Sequence, residues 1–154
     1  MLVSCVGCDQ ATKELARTTL AFEPPLSWFH DTVRLECAEN TGAFLSLGTS
    51  LPEDLRFLLF QLGIGAGLLT LLIVLWRSRP DSLLYLTGWC LILGGRIGNL
   101  LDRVAHHGRG IDFINLGIGP FRTGIFNLAD VYITIGALLL LFVSFRPDSR
   151  QASK

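Results

Sequence analysis

Charge is scarce in this sequence, and what there is cancels. Asp, Glu, Lys and Arg make up 17% of the residues, 13 basic against 13 acidic, for a formal net charge of zero. Nucleic-acid binders gather a basic excess on one face, so no nucleic acid is expected as a partner. Cysteine is sparse as well. Cys5 and Cys8 form a lone C-x-x-C, and no second pair completes the four ligands of a structural zinc site. Cys90 lies in an apolar run, where cysteine is normally a small buried hydrophobe. Leu2-Val3-Ser4-Cys5 imitates a lipidation box, but a secretory signal needs a basic start and about 7–15 apolar residues first. His30, His106 and His107 fit no H-E-x-x-H pattern, so zinc hydrolysis is unsupported, and His106-His107 reads as a solvated loop pair. No serine or cysteine nucleophile stands out. Internal repeats and low-complexity tracts are missing too.

What is abundant is hydrophobicity. Half of the 154 residues are hydrophobic and the mean hydropathy is +0.48, which points to a polytopic membrane protein of one domain spanning 1–154. Phe57 to Trp76 is an uncharged run of 20 residues, the length that crosses a bilayer as a helix. A second span is expected from about Ser82 to Leu101, interrupted by Arg96. A third runs from about Thr123 to Phe145, with Asp130 its one charge. At the start, either a helix continues past Asp9 to Leu20 or the first span lacks part of its length. Asp9 and Lys13 stand at i, i+4 with the acid first, which suits a surface ion pair or a helix end feeding polar groups to a site. The glycines Gly63, Gly65 and Gly67 are expected to serve close helix packing. The fold class expected is an all-α membrane protein with four transmembrane helices and a small β-containing extramembrane cap.

That cap is placed at about 21–52. Pro24 and Pro25 end the first helix, and Thr32 to Cys37 alternates polar and apolar residues as a strand does. Glu39-Asn40-Thr41-Gly42-Ala43-Phe44 then breaks the alternation at a glycine. Trp28 and Phe29 suit a membrane interface. Four spans would put both termini on one side, with the cap and the 103–123 loop together on the other. The basic residues do not decide which side is cytoplasmic.

The polar residues gather between Gly94 and Asp130. Arg96, Asn99 and Arg103 recur at helical spacing with Asp102 beside them, and Asn127, Asp130 and Thr134 recur likewise. A charged stripe at membrane depth is costly unless it faces a cavity or the bundle interior. Arg96 is therefore expected to bond inward. Gly94, Gly95 and Gly98 would admit a helix or a substrate backbone. Two carboxylates stand out, Asp112 after a glycine-rich turn and Asp130 one turn into the last helix.

Five blocks occur in order across nearly the whole chain. They are Asp9-Gln10-Ala11-Thr12-Lys13, Asn40-Thr41-Gly42-Ala43, Gly94 to Arg103, Ile111-Asp112-Phe113-Ile114, and Phe126-Asn127-Leu128-Ala129-Asp130. In these the sequence resembles the prolipoprotein signal peptidases, the type II bacterial signal peptidases. It departs at Phe44, one place early, and at Arg96, where the family more often has a small residue. The resemblance implies an aspartic endopeptidase without cofactor or metal, in the bacterial inner membrane with its site on the periplasmic side. It would act as a monomer among membrane lipids on a lipid-modified precursor, cutting before the cysteine that bears diacylglycerol. By the same resemblance Asp112 and Asp130 are catalytic. Asn40, Gly42, Asn99, Asp102, Arg103, Asn127, Asp9 and Lys13 bind substrate or support the site.

Neighbouring carboxylates about 3 Å apart cannot both ionise, so one can activate water while the other holds a proton. Asp130 near a helix N-terminus is expected to be the ionised partner, and Asp112 between Ile111 and Phe113 the protonated one. Asn40, Asn99 and Asn127 can hold a substrate backbone. Arg103 is expected to pair with Asp102 or a lipid phosphate. The rival class is a proton-carrying transporter. Its acids would sit near the midplane of repeated halves, not on one side under a cap.

Overall fold

The computed structural model describes residues 1–40, 52–78 and 82–145. In chain order these form α1 (Leu2–Leu20), β1 (Leu26–Trp28), β2 (Val33–Asn40), α2 (Glu53–Ser78), α3 (Leu83–Ala105), β3 (Gly110–Ile118), β4 (Phe121–Arg122) and α4 (Leu128–Ser144). Thr41 to Phe44, Arg79 to Asp81, and Arg146, Arg150 and Lys154 lie outside the described residues.

The first helix does run past Asp9 to Leu20. Its buried residues are Cys5, Asp9, Lys13, Ala16 and Leu20, spaced four, four, three and four apart, so they form one stripe along the helix. That stripe lies against α3, which also packs on α4 and α2. Side chains vanish where the helices meet. A Cβ at Gly98 would strike the Asp9 carboxylate, and one at Gly95 would strike the carbonyl of Ala129. The glycines of α3 thus admit α1 and α4 rather than a substrate. Gly63, Gly65 and Gly67 do not play the expected role, because a Cβ at any of them meets nothing within 4 Å among the described residues.

Among the described residues one helix, α3, is both long and apolar enough to cross a membrane. The apolar stretches Gln61–Arg77 and Leu128–Ser144 are shorter. Large apolar side chains nonetheless point outward along α2 and α4, Leu62, Leu69 and Leu138 each about 60% exposed. The last helix starts at Leu128, later than the Thr123 expected, because Asn127 caps it.

The strands form a four-stranded antiparallel sheet in the order β1-β2-β3-β4. Expected strand residues 33–37 lie in β2, but the sheet is not confined to the cap. The 103–123 connection, read as a loop, supplies β3 and β4, and β2 pairs with β3 from Val33↔Leu116 to Asn40↔Gly110. The cap and this connection therefore meet in one sheet. Four helices with a small β-containing part are found as expected, and the sheet is larger than the cap because this connection joins it. Its third strand escaped notice because Gly110 to Phe113 are buried in succession, which erases the period-two pattern.

Two contacts fix the sheet. Ala16 and Leu20 of α1 form a small core with Phe113, and Leu35, Cys37 and Ile114 pack against it. At the far end, the β1–β2 turn holds Phe29, His30 and Asp31 at φ of 53°, 54° and 70°. Such values are unfavourable for bulky residues. The turn is held by Asp31, whose carboxylate accepts from Arg34 Nε at 2.6 Å and Ser27 Oγ at 2.7 Å. Arg122 Nη1 donates to the Asp31 carbonyl at 2.7 Å. These partners hold the Asp31 carboxyl down to about 2, Arg34 contributing most. Trp28 and Phe29 are exposed beside it.

Candidate active site

The site begins with the cap of α4. Asn127 Oδ1 accepts the backbone N–H of Asp130 at 3.1 Å, and the Asp130 carboxylate accepts the backbone N–H of Asn127 at 3.2 Å. This reciprocal box satisfies two donors that a helix start leaves open. It also fixes the Asn127 amide. A backbone N–H can only donate, so the oxygen must face it and the Nδ2 must face away. That Nδ2 reaches Asp112 Oδ1 at 2.7 Å, with Asn99 Oδ1 and the Ile111 carbonyl each at 3.2 Å.

Asp112 is set by β3 and by the end of α3. Asp102 Oδ2 accepts the backbone N–H of Ile111 at 3.2 Å, anchoring the residue before it. On the other side, Asn40 at the end of β2 donates Nδ2 to Asp112 Oδ2 at 2.8 Å. Asp130 receives Asn99 Nδ2 on Oδ1 at 3.0 Å. Three asparagines from β2, α3 and the start of α4 thus hold two carboxylates. Asp112 is 5% exposed. Its burial above all pushes its carboxyl above the ordinary range. The Asn40 and Asn127 donors pull against that, and the charge of Asp130 adds to the rise.

Behind the carboxylates lies a buried ionic cluster. Lys13 Nζ contacts Asp9 Oδ2 at 2.8 Å, Asp102 Oδ2 at 2.9 Å and Asn99 Oδ1 at 2.9 Å. Asp9, Lys13 and Asp102 are each at most 2% exposed, so the surface-pair reading of Asp9 and Lys13 fails. Asp9 Oδ1 also accepts the backbone N–H of Ala129. In front, a cavity of about 360 Å³ opens at Asp130, lined by Phe126, Val131, Thr134 and Ile135. Its lining is mostly apolar, with Asp130 and Thr134 the polar members.

A family model described as signal peptidase (SPase) II matches residues 1–146. The chain belongs to the signal peptidase II family. The lipoprotein signal peptidase of Sphingopyxis alaskensis is 37% identical over 139 residues, covering 86% of this chain and 76% of the relative. That of Cronobacter sakazakii is 34% identical over 154 residues, covering 99% and 91%. The fold is similar to a bacterial membrane enzyme solved by the in meso method at 1.9 Å resolution. The TM-score is 0.77 at 26% identity, over 94% of this chain and 90% of that one.

Of the positions that the signal peptidase II resemblance singled out, Asp9, Lys13, Asn40, Asn99, Asp102, Asp112, Asn127 and Asp130 come together. Gly42 lies outside the described residues. Arg103 does not pair with Asp102 as expected, because Lys13 occupies that carboxylate. It donates Nη1 to the carbonyl of Asn99 at 2.9 Å on its own helix. Arg96 does not bond inward. Its neighbours Gly95 and Asn99 take the faces toward α4 and the cluster, leaving Arg96 exposed, with no hydrogen bond or ion pair among the described residues. His106 is half-buried with Nδ1 3.0 Å from the Asp102 carbonyl, so it is not simply a solvated loop residue. Gln10 was not singled out, yet its Nε2 lies 3.1–3.3 Å from Asp9 Oδ2, the Gly98 carbonyl and Asp102 Oδ1. Its place beside Asp9, three before Lys13, was the available signal.

Proposed function

We propose that this chain is a membrane aspartic endopeptidase that removes signal peptides from diacylglyceryl-modified lipoprotein precursors, cutting before the lipidated cysteine. The observation that carries the reading is the joint hold of Asn127 and Asn99 on Asp112 and Asp130, the latter lining a mostly apolar cavity. Asp130, third residue of α4, lies where the helix N-terminus favours an anion, and it serves as the base. Asp112, buried and pushed toward its neutral form, holds the shared proton. Water between them loses a proton to Asp130 as its oxygen adds to the scissile carbonyl carbon. Asp112 gives its proton to that carbonyl oxygen. As the C–N bond breaks, the leaving nitrogen takes the proton from Asp130, the carbonyl reforms, and its hydroxyl proton returns to Asp112. Asn40 and the cavity edge hold the extended substrate.

In this reading all four helices cross the bacterial inner membrane, the sheet lies on the periplasmic side, and the enzyme works as a monomer. The outward apolar side chains of α2 and α4 favour lipid around the bundle. The acyl chains of the substrate would lie among lipid tails beside Val131 and Ile135, each buried methylene stabilising binding by about 0.8 kcal/mol. The test is single-turnover cleavage by purified protein of a diacylglyceryl-modified precursor and of the same precursor unmodified. Cleavage of the modified form alone is expected. Equal rates for both would refute the lipid requirement, and no cleavage of either would refute the activity.

A further inference from the structure

From the contacts of Lys13 we infer that it is a positioning residue for the carboxylate pair, its ammonium locking the Asn99 amide so that Asn99 donates to Asp130. The inference rests on the reading of Asp112 and Asp130 as the acid–base pair. An ammonium has three N–H groups and no lone pair, so whatever faces it must accept. Lys13 finds three acceptors at 2.8–2.9 Å, and Asn99 Oδ1 is one of them. The two ends of a carboxamide have nearly the same shape. With its oxygen held by Lys13, the Asn99 Nδ2 must point the other way, onto Asp130 Oδ1 at 3.0 Å. A flipped amide would set a carbonyl oxygen against that carboxylate and demand a proton there.

Asn127 is the only other donor to Asn99 Oδ1 among the described residues, and it is the weaker lock. Its Nδ2 has two hydrogens for three acceptors, and Asp112 at 2.7 Å is nearer than Asn99 at 3.2 Å. The charges around Lys13 are accounted for on every side. Asp9 faces it from α1 and Asp102 from α3, and the Gln10 amide donates to both of those acids. The N–H of Ala129 on α4 and that of Ile111 on β3 bond to those two acids. Beyond Asn99 stand Asp130, Asp112 by way of Asn127, and the Arg103 guanidinium on the Asn99 backbone carbonyl. The cluster of Asp9, Lys13 and Asp102 carries one net negative charge, which separates the effect of the donor from that of charge alone.

The test uses the full chain in detergent and the pH–rate profile of single-turnover cleavage of the diacylglyceryl-modified precursor. Two variants are compared with wild type, Lys13→Met and the charge-balanced Asp9→Asn/Lys13→Met. The second keeps the net charge of the cluster and carries the test if the first does not fold. In both, the acid limb is expected to move up by about one pH unit, so cleavage on that limb falls about tenfold. With Asn99→Ala already in place, replacing Lys13 should move the limb no further. An unmoved limb in a folded variant, however slow, overturns the proposal, because a purely structural lysine lowers the rate at every pH alike. A shift of the same size without Asn99 also overturns it, leaving Lys13 a charge acting through space. Full cleavage by Asp112→Asn or Asp130→Asn is a separate result, and would remove the acid–base pair itself.

Discussion

Asp9 Oδ1 accepts the backbone N–H of Ala129 at 2.9 Å, joining two residues 120 positions apart in the chain. The amide it satisfies belongs to the residue before Asp130, in the first turn of α4. The first helix thereby holds the last one at the point where that helix presents its carboxylate.

Removing that hold should be costly. Asp9→Ala leaves the Ala129 N–H unpaired and takes one of two carboxylates from buried Lys13. A loss of about 3–5 kcal/mol is expected, as for other broken buried ion pairs. Asp9→Asn keeps an oxygen for Ala129 and should lose less. Thermal unfolding in detergent ranks the two, and equal losses would argue that the Ala129 bond contributes nothing.

Asp112→Asn and Asp130→Asn should each lower single-turnover cleavage by a factor of about 100 or more while the protein stays folded. A variant that still cuts at a near-wild-type rate takes its aspartate out of the chemistry.

Gly98→Ala should destabilise by about 1–3 kcal/mol, since the new methyl meets a carboxylate already fixed by Lys13 and Ala129. Gly63→Ala is the control. Its methyl enters open space, and alanine is the better helix former by about 1 kcal/mol. Unfolding temperatures should fall for the first and hold or rise for the second.

The β1–β2 turn should be acid-sensitive. In the folded chain the Asp31 carboxyl lies at about 2, below the ordinary carboxylate value of about 3.9. Its stabilisation is therefore complete above about pH 4 and is lost as pH falls through 2. Asp31→Asn should melt below wild type at pH 7, with the gap closing toward pH 2. A gap that persists at pH 2 would point to the shape of the side chain rather than its charge.

Arg96, exposed and without a partner among the described residues, should tolerate replacement. Arg96→Lys and Arg96→Ala are both expected to stay within about 0.5 kcal/mol of wild type, with cleavage retained. A large loss in either, read by unfolding and turnover, would reveal a role for the guanidinium that its position does not suggest.

The helices were legible in the sequence because long apolar runs and i, i+4 stripes are local signals. The strand at Val33 was legible too, since it is half-buried on both faces and its polar and apolar residues still alternate. β3 was not, because Ile111, Asp112 and Phe113 are buried in succession and no period remains. The eight polar residues that meet at the site were found by resemblance to motifs. Their connections were not, because each bond spans what spacing cannot see. Lys13 was paired with Asp9 on its own helix, and nothing local pointed to Asp102 or Asn99. Arg96 misled for the related reason that helical spacing gives an angle without saying which angle faces the neighbours. The fastening of Asp31 by Arg122, 91 residues away, had no local trace at all.

The buried lysine also has a consequence for biogenesis. Asp9 and Lys13 emerge together and can pair within α1 at once, but the Asn99 that accepts another Lys13 N–H lies 86 residues further on. At roughly 5–20 residues per second, synthesis of that interval takes about 4–17 s. In the four-span reading α1 meanwhile carries an ammonium with one of its three acceptors, which a bilayer interior accommodates poorly. On that reading α1, made before α3, settles only with it, waiting near the headgroups or beside the insertion machinery until α3 arrives.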